Sequence, residues 1–148
     1  MTMKEIEGKL VEGLKKWQKV EEEAVLSTGE VIRDAKNPII QAVFQIIQND
    51  AQNHRRVQEL IIQAHEKAGF QLDVDQMELL SKVVARHVLV EKKMIEAADE
   101  SLKMIAGKKQ ILHEYFLKYL QEDEKKHMDL LKGLENLKKS MHPYGPSA

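Results

Sequence analysis

Apolar residues recur along this chain in steps of three and four, and each run is interrupted by an acid, a histidine or both. The first series is Ile6, Leu10, Leu14, Trp17, Glu21, Ala24, Thr28, Val31, Ala35. The second is Val43, Ile47, Asp50, His54, Val57, Ile61, Ala64. The third is Met77, Leu80, Val84, His87, Glu91, Met94, Ala98, and the fourth Phe116, Leu120, Asp123, His127, Leu130, Leu134, Leu137. Such spacing keeps each series on one helical face, so the pattern predicts four long amphipathic helices. A carboxylate on the apolar face of a helix is costly unless something positive neutralises it. Four intrusions of this kind point to a metal ion.

Local signals place the helix ends. Thr2 with Glu5 forms the sequence of a capping box and opens the first helix. Asn37-Pro38 opens the second, because Asn caps and Pro loses nothing at the first helical position. That helix is expected to run to about Lys67 and to end at Ala68-Gly69. Asp73 or Asp75 can cap the third, Gly107 closes it, and Lys108-Lys109-Gln110 leads into the fourth. The expected organisation is one domain over residues 1–140 and a non-helical tail over 141–148.

The two halves read as repeats. Ile46-Ile47-Gln48-Asn49-Asp50 with His54 matches Tyr119-Leu120-Gln121-Glu122-Asp123 with His127, and Val20-Glu21 matches Val90-Glu91. Trp17 stands where the second half has His87. Glu21 lies sixteen residues before Asn37 and His54 seventeen after it. Glu91 lies sixteen before Gly107, Glu124 seventeen after it and His127 twenty after it. With a constant rise per residue, each hairpin therefore sets its acid and its histidine at nearly one height.

Composition narrows the chemistry. The 148 residues carry 23 Lys and Arg against 24 Asp and Glu, so no net field favours nucleic acid or an anionic membrane. No cysteine is present, which removes disulfides, thiolate metal sites and cysteine nucleophiles. No stretch is long and apolar enough to span a bilayer, and Met1-Thr2-Met3-Lys4-Glu5 has no apolar leader core, so a cytoplasmic setting is expected. The remaining donors are carboxylate and imidazole, which suit Fe, Mn or Zn.

A glutamate on the first helix of each hairpin and Glu-x-x-His on the second resembles the ferritin-like superfamily of di-iron carboxylate bundles, in particular its rubrerythrin and bacterioferritin types. The likeness covers most of residues 3–140. Glu21-x-x-Ala24 resembles the first-helix ligand motif of that family, Glu91-x-x-Met94 the third-helix version, and Asp123-Glu124-Lys125-Lys126-His127 its Asp-Glu-x-x-His run. The resemblance implies an all-α, ferritin-like four-helix bundle built from two pseudo-repeated hairpins. It also implies a metal site of Glu21, His54, Glu91, Glu124 and His127, with Asp50 as a further candidate ligand. The implied activity is a reaction of Fe(II) with oxygen or peroxide, of ferroxidase or peroxidase type, in a homodimer or higher homo-oligomer. One departure stands out: Ala51 occupies the place of the bridging glutamate in helix 2, and Asp50 beside it has a shorter side chain. A two-metal, a one-metal and a decayed site all follow from that change. Asp50 and Asp123 could instead orient the histidines. Tyr115 or Tyr119 are conceivable electron donors.

Other readings remain open on the residues alone. Glu21 belongs to the run Glu21-Glu22-Glu23, the usual composition of a solvated face. His87 is expected to pack or to support a ligand, His65, His113 and His142 to lie off the common level, and Met94 and Trp17 to be core. About nine residues, 67–75, connect the hairpins and reach ~30 Å when extended. A crossover between parallel second and third helices would need roughly 40 Å. Alternating Phe70, Leu72 and Val74 suit an extended strap; a simple up-down bundle and a hairpin-exchanging dimer are the other arrangements. The functional alternative to iron chemistry is a metal-free helical protein that works by dimerisation or partner binding.

Overall fold

The computed structural model describes residues 1–66 and 74–141, and the chain there is all-α, with no strand among the described residues. Four helices follow one another: α1 Met3–Asp34, α2 Pro38–Glu66, α3 Val74–Ile105 and α4 Ile111–Met141. The chain divides into two compact units, Met1–Phe70 and Gln71–Ala148. Each unit is a helical hairpin, α1 packed on α2 in the first and α3 on α4 in the second.

The caps form as their residues dictate. Thr2 Oγ1 accepts from the Glu5 amide at 3.2 Å, and Glu5 Oε2 accepts from the Thr2 amide at 2.9 Å, which closes the capping box of α1. Asn37 Oδ1 accepts from the amides of Ile39 and Ile40 at 2.9 and 3.3 Å, so Pro38 takes the first position of α2. Gly107, at φ +73°, supplies the left-handed backbone that ends α3. One expected boundary shifts. While the expected end of α2 at Lys67 to Gly69 falls outside the described residues, Asp75 lies inside the first turn of α3. There its negative charge meets the positive helix terminus instead of serving as the cap. The proposed Asp73 cap, the Phe70 and Leu72 positions of the strap and the 142–148 tail fall outside the described residues.

Cross-links of decreasing register make the first hairpin antiparallel. Gln18 Nε2 reaches Glu59 Oε2 at 3.0 Å, Gln48 Nε2 reaches the Val25 carbonyl at 3.1 Å, and Gln41 Nε2 reaches the Ala35 carbonyl at 2.6 Å. Gln48 sits so close to α1 that a Cβ on Gly29 would lie 3.3 Å from its Nε2, so the missing side chain there permits the approach. In the second hairpin Gln121 Nε2 bonds Asp99 Oδ1 at 2.6 Å near the turn, and Lys138 Nζ bonds Ser81 Oγ at 2.6 Å near the open end.

Each core is narrow. Among the described residues, Leu14, Ala51 and Ile62 are the buried apolar residues of the first hairpin, and Val84, Ala98 and Met128 those of the second. A fully buried side chain of the Leu or Ile class stabilises by about 1.5–3 kcal/mol. The buried line of α1 runs Leu14, Glu21, Thr28, and that of α3 runs Val84, Glu91, Ala98, at the same seven-residue step. Trp17, expected in the core, is instead 55% exposed, and Ile6, Leu10, Ile47, Val57 and Ile61 are exposed with it. Periodicity marked one broad apolar face per helix, whereas α2 covers only the strip of α1 centred on Leu14 and Glu21.

Candidate metal centre

Glu91 is the most deeply buried large side chain of the described residues, 2% exposed in the middle of α3. It sits one heptad from both Val84 and Ala98, so helix geometry alone turns it into the strip that α4 covers. From α4, Glu124 and His127 occupy adjacent turns on one face, three residues apart. Ligand atoms of Glu91, Glu124 and His127 all lie within 4.8 Å of one another, the single such trio of acids and histidines among the described residues. His127 Nδ1 is 3.4 Å from Glu91 Oε1 and 3.5 Å from Glu124 Oε2. The cross-links Gln121–Asp99 and Lys138–Ser81 hold the register of the two helices on either side of it.

Two carboxylate oxygens in this trio, Glu91 Oε2 and Glu124 Oε2, are buried without a hydrogen bond, and Glu124 Oε2 has the imidazole of His127 as its ion-pair neighbour at 3.5 Å. A buried acceptor without a hydrogen bond is costly. The Glu124 pKa is raised, first by the hydrogen bond that its protonated carboxyl would make to Glu91, then by burial and by charge repulsion from Glu91, with His127 acting in the opposite sense. Glu124 of the metal-free chain therefore holds its proton more tightly than an isolated glutamate does. A divalent cation between them would satisfy both oxygens and displace that proton, so the donor set fits an ion.

Neighbouring side chains orient the trio. Asp123 Oδ2 faces His127 Nε2 at 3.3 Å, and Asp123 Oδ1 also meets Lys126 Nζ at 2.8 Å. With Nε2 facing Asp123, His127 turns Nδ1 towards the two glutamates, the nitrogen an ion would use. His87, one turn before Glu91 on α3, brings Nε2 to 3.2 Å from Glu91 Oε1. The sequence assigned His87 a packing or supporting role; its contact with the buried acid is the more specific finding. The i, i+4 spacing of His87 and Glu91 was the signal that foretold it.

The first hairpin is built differently at the positions that match in sequence. His54 Nδ1 lies 3.3 Å from Glu21 Oε1, with the acid buried and the imidazole 59% exposed. Ala51 is buried at the position that Glu124 holds in α4. Asp50 is half-buried one residue away. Glu21, Asp50 and His54 do not bring three ligand atoms together as the second hairpin does. Among the remaining candidates, Met94 is half-buried, His65 and His113 are exposed, and His142 is outside the described residues. Tyr115 is exposed with its ring edge-on to Phe116 at 5.1 Å.

No protein-family model, curated protein or solved structure matches the chain. No described helix is long and apolar enough to cross a membrane.

Proposed function

We propose that this is a ferritin-like iron-binding protein in which Glu91, Glu124 and His127 hold the ion. The observation that carries the reading is the pair of buried oxygens without a hydrogen bond, Glu91 Oε2 and Glu124 Oε2, beside His127 Nδ1. A carboxylate pair whose nearest cationic groups are imidazoles, charged only when protonated, is unfavourable in a helical core, and a divalent cation removes that cost. Two carboxylates and one imidazole suit Fe(II), with Mn(II) and Zn(II) as competitors. Three protein donors leave coordination positions free, and iron so held supplies one-electron chemistry with oxygen or peroxide. Asp123 would fix the His127 tautomer and His87 would steady Glu91. The class of activity is ferroxidase or peroxidase. The sequence likeness to di-iron carboxylate bundles supports the class, and the four-helix arrangement of that family is part of the proposal.

Protein purified from iron-supplied cells, then loaded anaerobically with Fe(II), is expected to retain iron through gel filtration. Elemental analysis reads the outcome. Less than about a tenth of an equivalent of any transition metal, against the affinities usual for closed sites, would refute the reading. A second reading rests on the first hairpin, where Ala51 replaces a ligand and Glu21 is matched by His54 alone. On that reading the chain associates through its helix faces without metal, and metal-free protein would associate as the loaded protein does.

A further inference from the structure

The buried acid of α3 has a thioether neighbour that its counterpart on α1 lacks. Met94 follows Glu91 by three residues, so the two side chains are neighbours on that helix. At the same step after Glu21, α1 carries Ala24. Met94 is half-buried and lines a groove of ≈ 240 Å³ with Ala98, Leu117, Leu120 and Glu124. Apart from Ser101 and Glu124, the lining is apolar. Both walls, α3 and α4, belong to one compact unit. A methionine sulfur thus shares a small groove with a carboxylate of the trio.

That placement has a chemical consequence. A thioether is soft and polarisable, and its sulfoxide is a stable product that reductases convert back. A water molecule takes about 30 Å³ of the liquid, so the groove has room for hydrogen peroxide beside Glu124. When the two react, one peroxide oxygen bonds to Met94 Sδ as the O–O bond breaks. The other oxygen leaves as water with both peroxide protons, so sulfur is oxidised by two electrons and peroxide is reduced. The new S–O group is a strong acceptor in an apolar groove, which is costly without a donor. The Ser101 hydroxyl of the lining already donates to the Ala97 carbonyl at 2.7 Å.

We propose that Met94 is an oxidisable shut-off for the Glu91–Glu124–His127 site: hydrogen peroxide reacting at the iron-loaded site converts Met94 to its sulfoxide, and the sulfoxide lowers the affinity of the site for its ion. This rests on the metal reading above. Position makes Met94 the preferred target. Met77 and Met104, on the same helix, lie fourteen residues before and thirteen after Glu91. Helical rise puts each about 20 Å from it along the axis. Met128 directly follows His127 but lies in the buried core instead of the groove. Once Met94 is oxidised, the site releases its iron and stops consuming peroxide, and reduction of the sulfoxide restores it.

The test uses the full chain, loaded anaerobically with Fe(II) or stripped of metal, and treated with hydrogen peroxide. Peptide mass spectrometry reads the gain of one oxygen at each methionine. The ratio of Met94 to Met104 sulfoxide should rise several-fold in the iron-loaded chain over the stripped chain, and the rise should vanish in Glu91→Gln. After removal of iron, titration with Mn(II) should show affinity lowered at least about tenfold in the treated parent, the scale on which groups beside a metal site act on it. Met94→Leu conserves volume and removes the sulfur, so its helix content by circular dichroism and its Mn(II) affinity should survive the same treatment. Met104→Leu should lose affinity as the parent does. Iron-loaded protein oxidised at Met77, Met104 or Met128 as readily as at Met94 would overturn the proposal and leave the metal reading standing. Equal loss of affinity in Met94→Leu and the parent would overturn it too. Absence of iron from the loaded chain at the outset would remove both.

Discussion

Glu91 and Glu124 face each other across α3 and α4 with one buried oxygen apiece that has no hydrogen bond, and their proximity raises the Glu124 pKa. The relationship is unfavourable to the metal-free fold and favourable to a bound cation, so one substitution should move stability and binding in opposite directions. Glu124→Gln keeps the shape and removes the charge. Metal-free Glu124→Gln should be more stable than the parent near neutral pH, by roughly 1 kcal/mol, the usual scale of a single-site change. Its Fe(II) or Mn(II) affinity should fall by more than about tenfold. Chemical denaturation of stripped protein and metal titration check the two arms; a clear loss of metal-free stability would show that Glu124 serves a structural contact.

The same pair sets a pH dependence. Glu124 binds its proton more tightly in the folded chain than in the unfolded chain, because of the hydrogen bond its protonated carboxyl would make to Glu91, burial, and repulsion by Glu91. Its contribution to metal-free stability is therefore fully present below the ordinary glutamate pKa and is lost as pH rises through the raised folded value. Metal binding needs the deprotonated carboxylates, so affinity should climb over that same window and uptake should release a proton. Denaturation midpoints of stripped protein against pH, and calorimetric titrations in buffers of differing ionisation enthalpy, read the two effects. Equal dependence in the parent and in Glu124→Gln would assign the titration to another group.

A further weak point lies in the first hairpin. Gln58 is buried on α2, and neither its Oε1 nor its Nε2 has a hydrogen-bond partner. The matching position of α4, four residues after His127 as Gln58 follows His54, is Leu131. Gln58→Leu should therefore stabilise the hairpin by about 1–3 kcal/mol, the cost of leaving a buried polar group unmatched. Thermal unfolding decides it, and destabilisation would mean that the amide is satisfied in solution by ordered water.

What was legible in the sequence follows from range. Thr2, Glu5, Asn37, Pro38 and Gly107 act on backbone within four residues of themselves, so their motifs foretell the caps that form. The juxtaposition of Glu91 with Glu124 and His127 was readable because a constant helical rise converts distance from a turn into depth. The side on which a partner helix lies is not contained in periodicity. That is why Trp17 was placed in the core and stands exposed, and why the Glu21–Thr28 line, three to four residues away, takes the buried strip. Asp99–Gln121 and Ser81–Lys138 join residues distant in the chain and carry no local signature at all.

The contrast between Ala51 and Glu124 offers the most direct test of why only one hairpin assembles a trio. Ala51 is 3% exposed on α2, with Glu21 and His54 already in contact beside it. Ala51→Glu places a carboxylate three residues before His54, the spacing that Glu124 has with His127, so both side chains share a face without any backbone change. The larger, charged side chain enters a packed position, and metal-free protein should lose about 1–3 kcal/mol through overpacking and desolvation. Bound Fe(II) or Mn(II) should recover that loss, because ions that bind only the folded state stabilise it in proportion to their affinity. The metal-to-chain ratio should rise by about one equivalent over the parent, since the first hairpin would then present two carboxylates and one imidazole. Elemental analysis with thermal unfolding at fixed metal concentration checks both expectations. An unchanged ratio in a folded variant would mean that Glu21 and His54 are held as an ion pair that does not open to a metal.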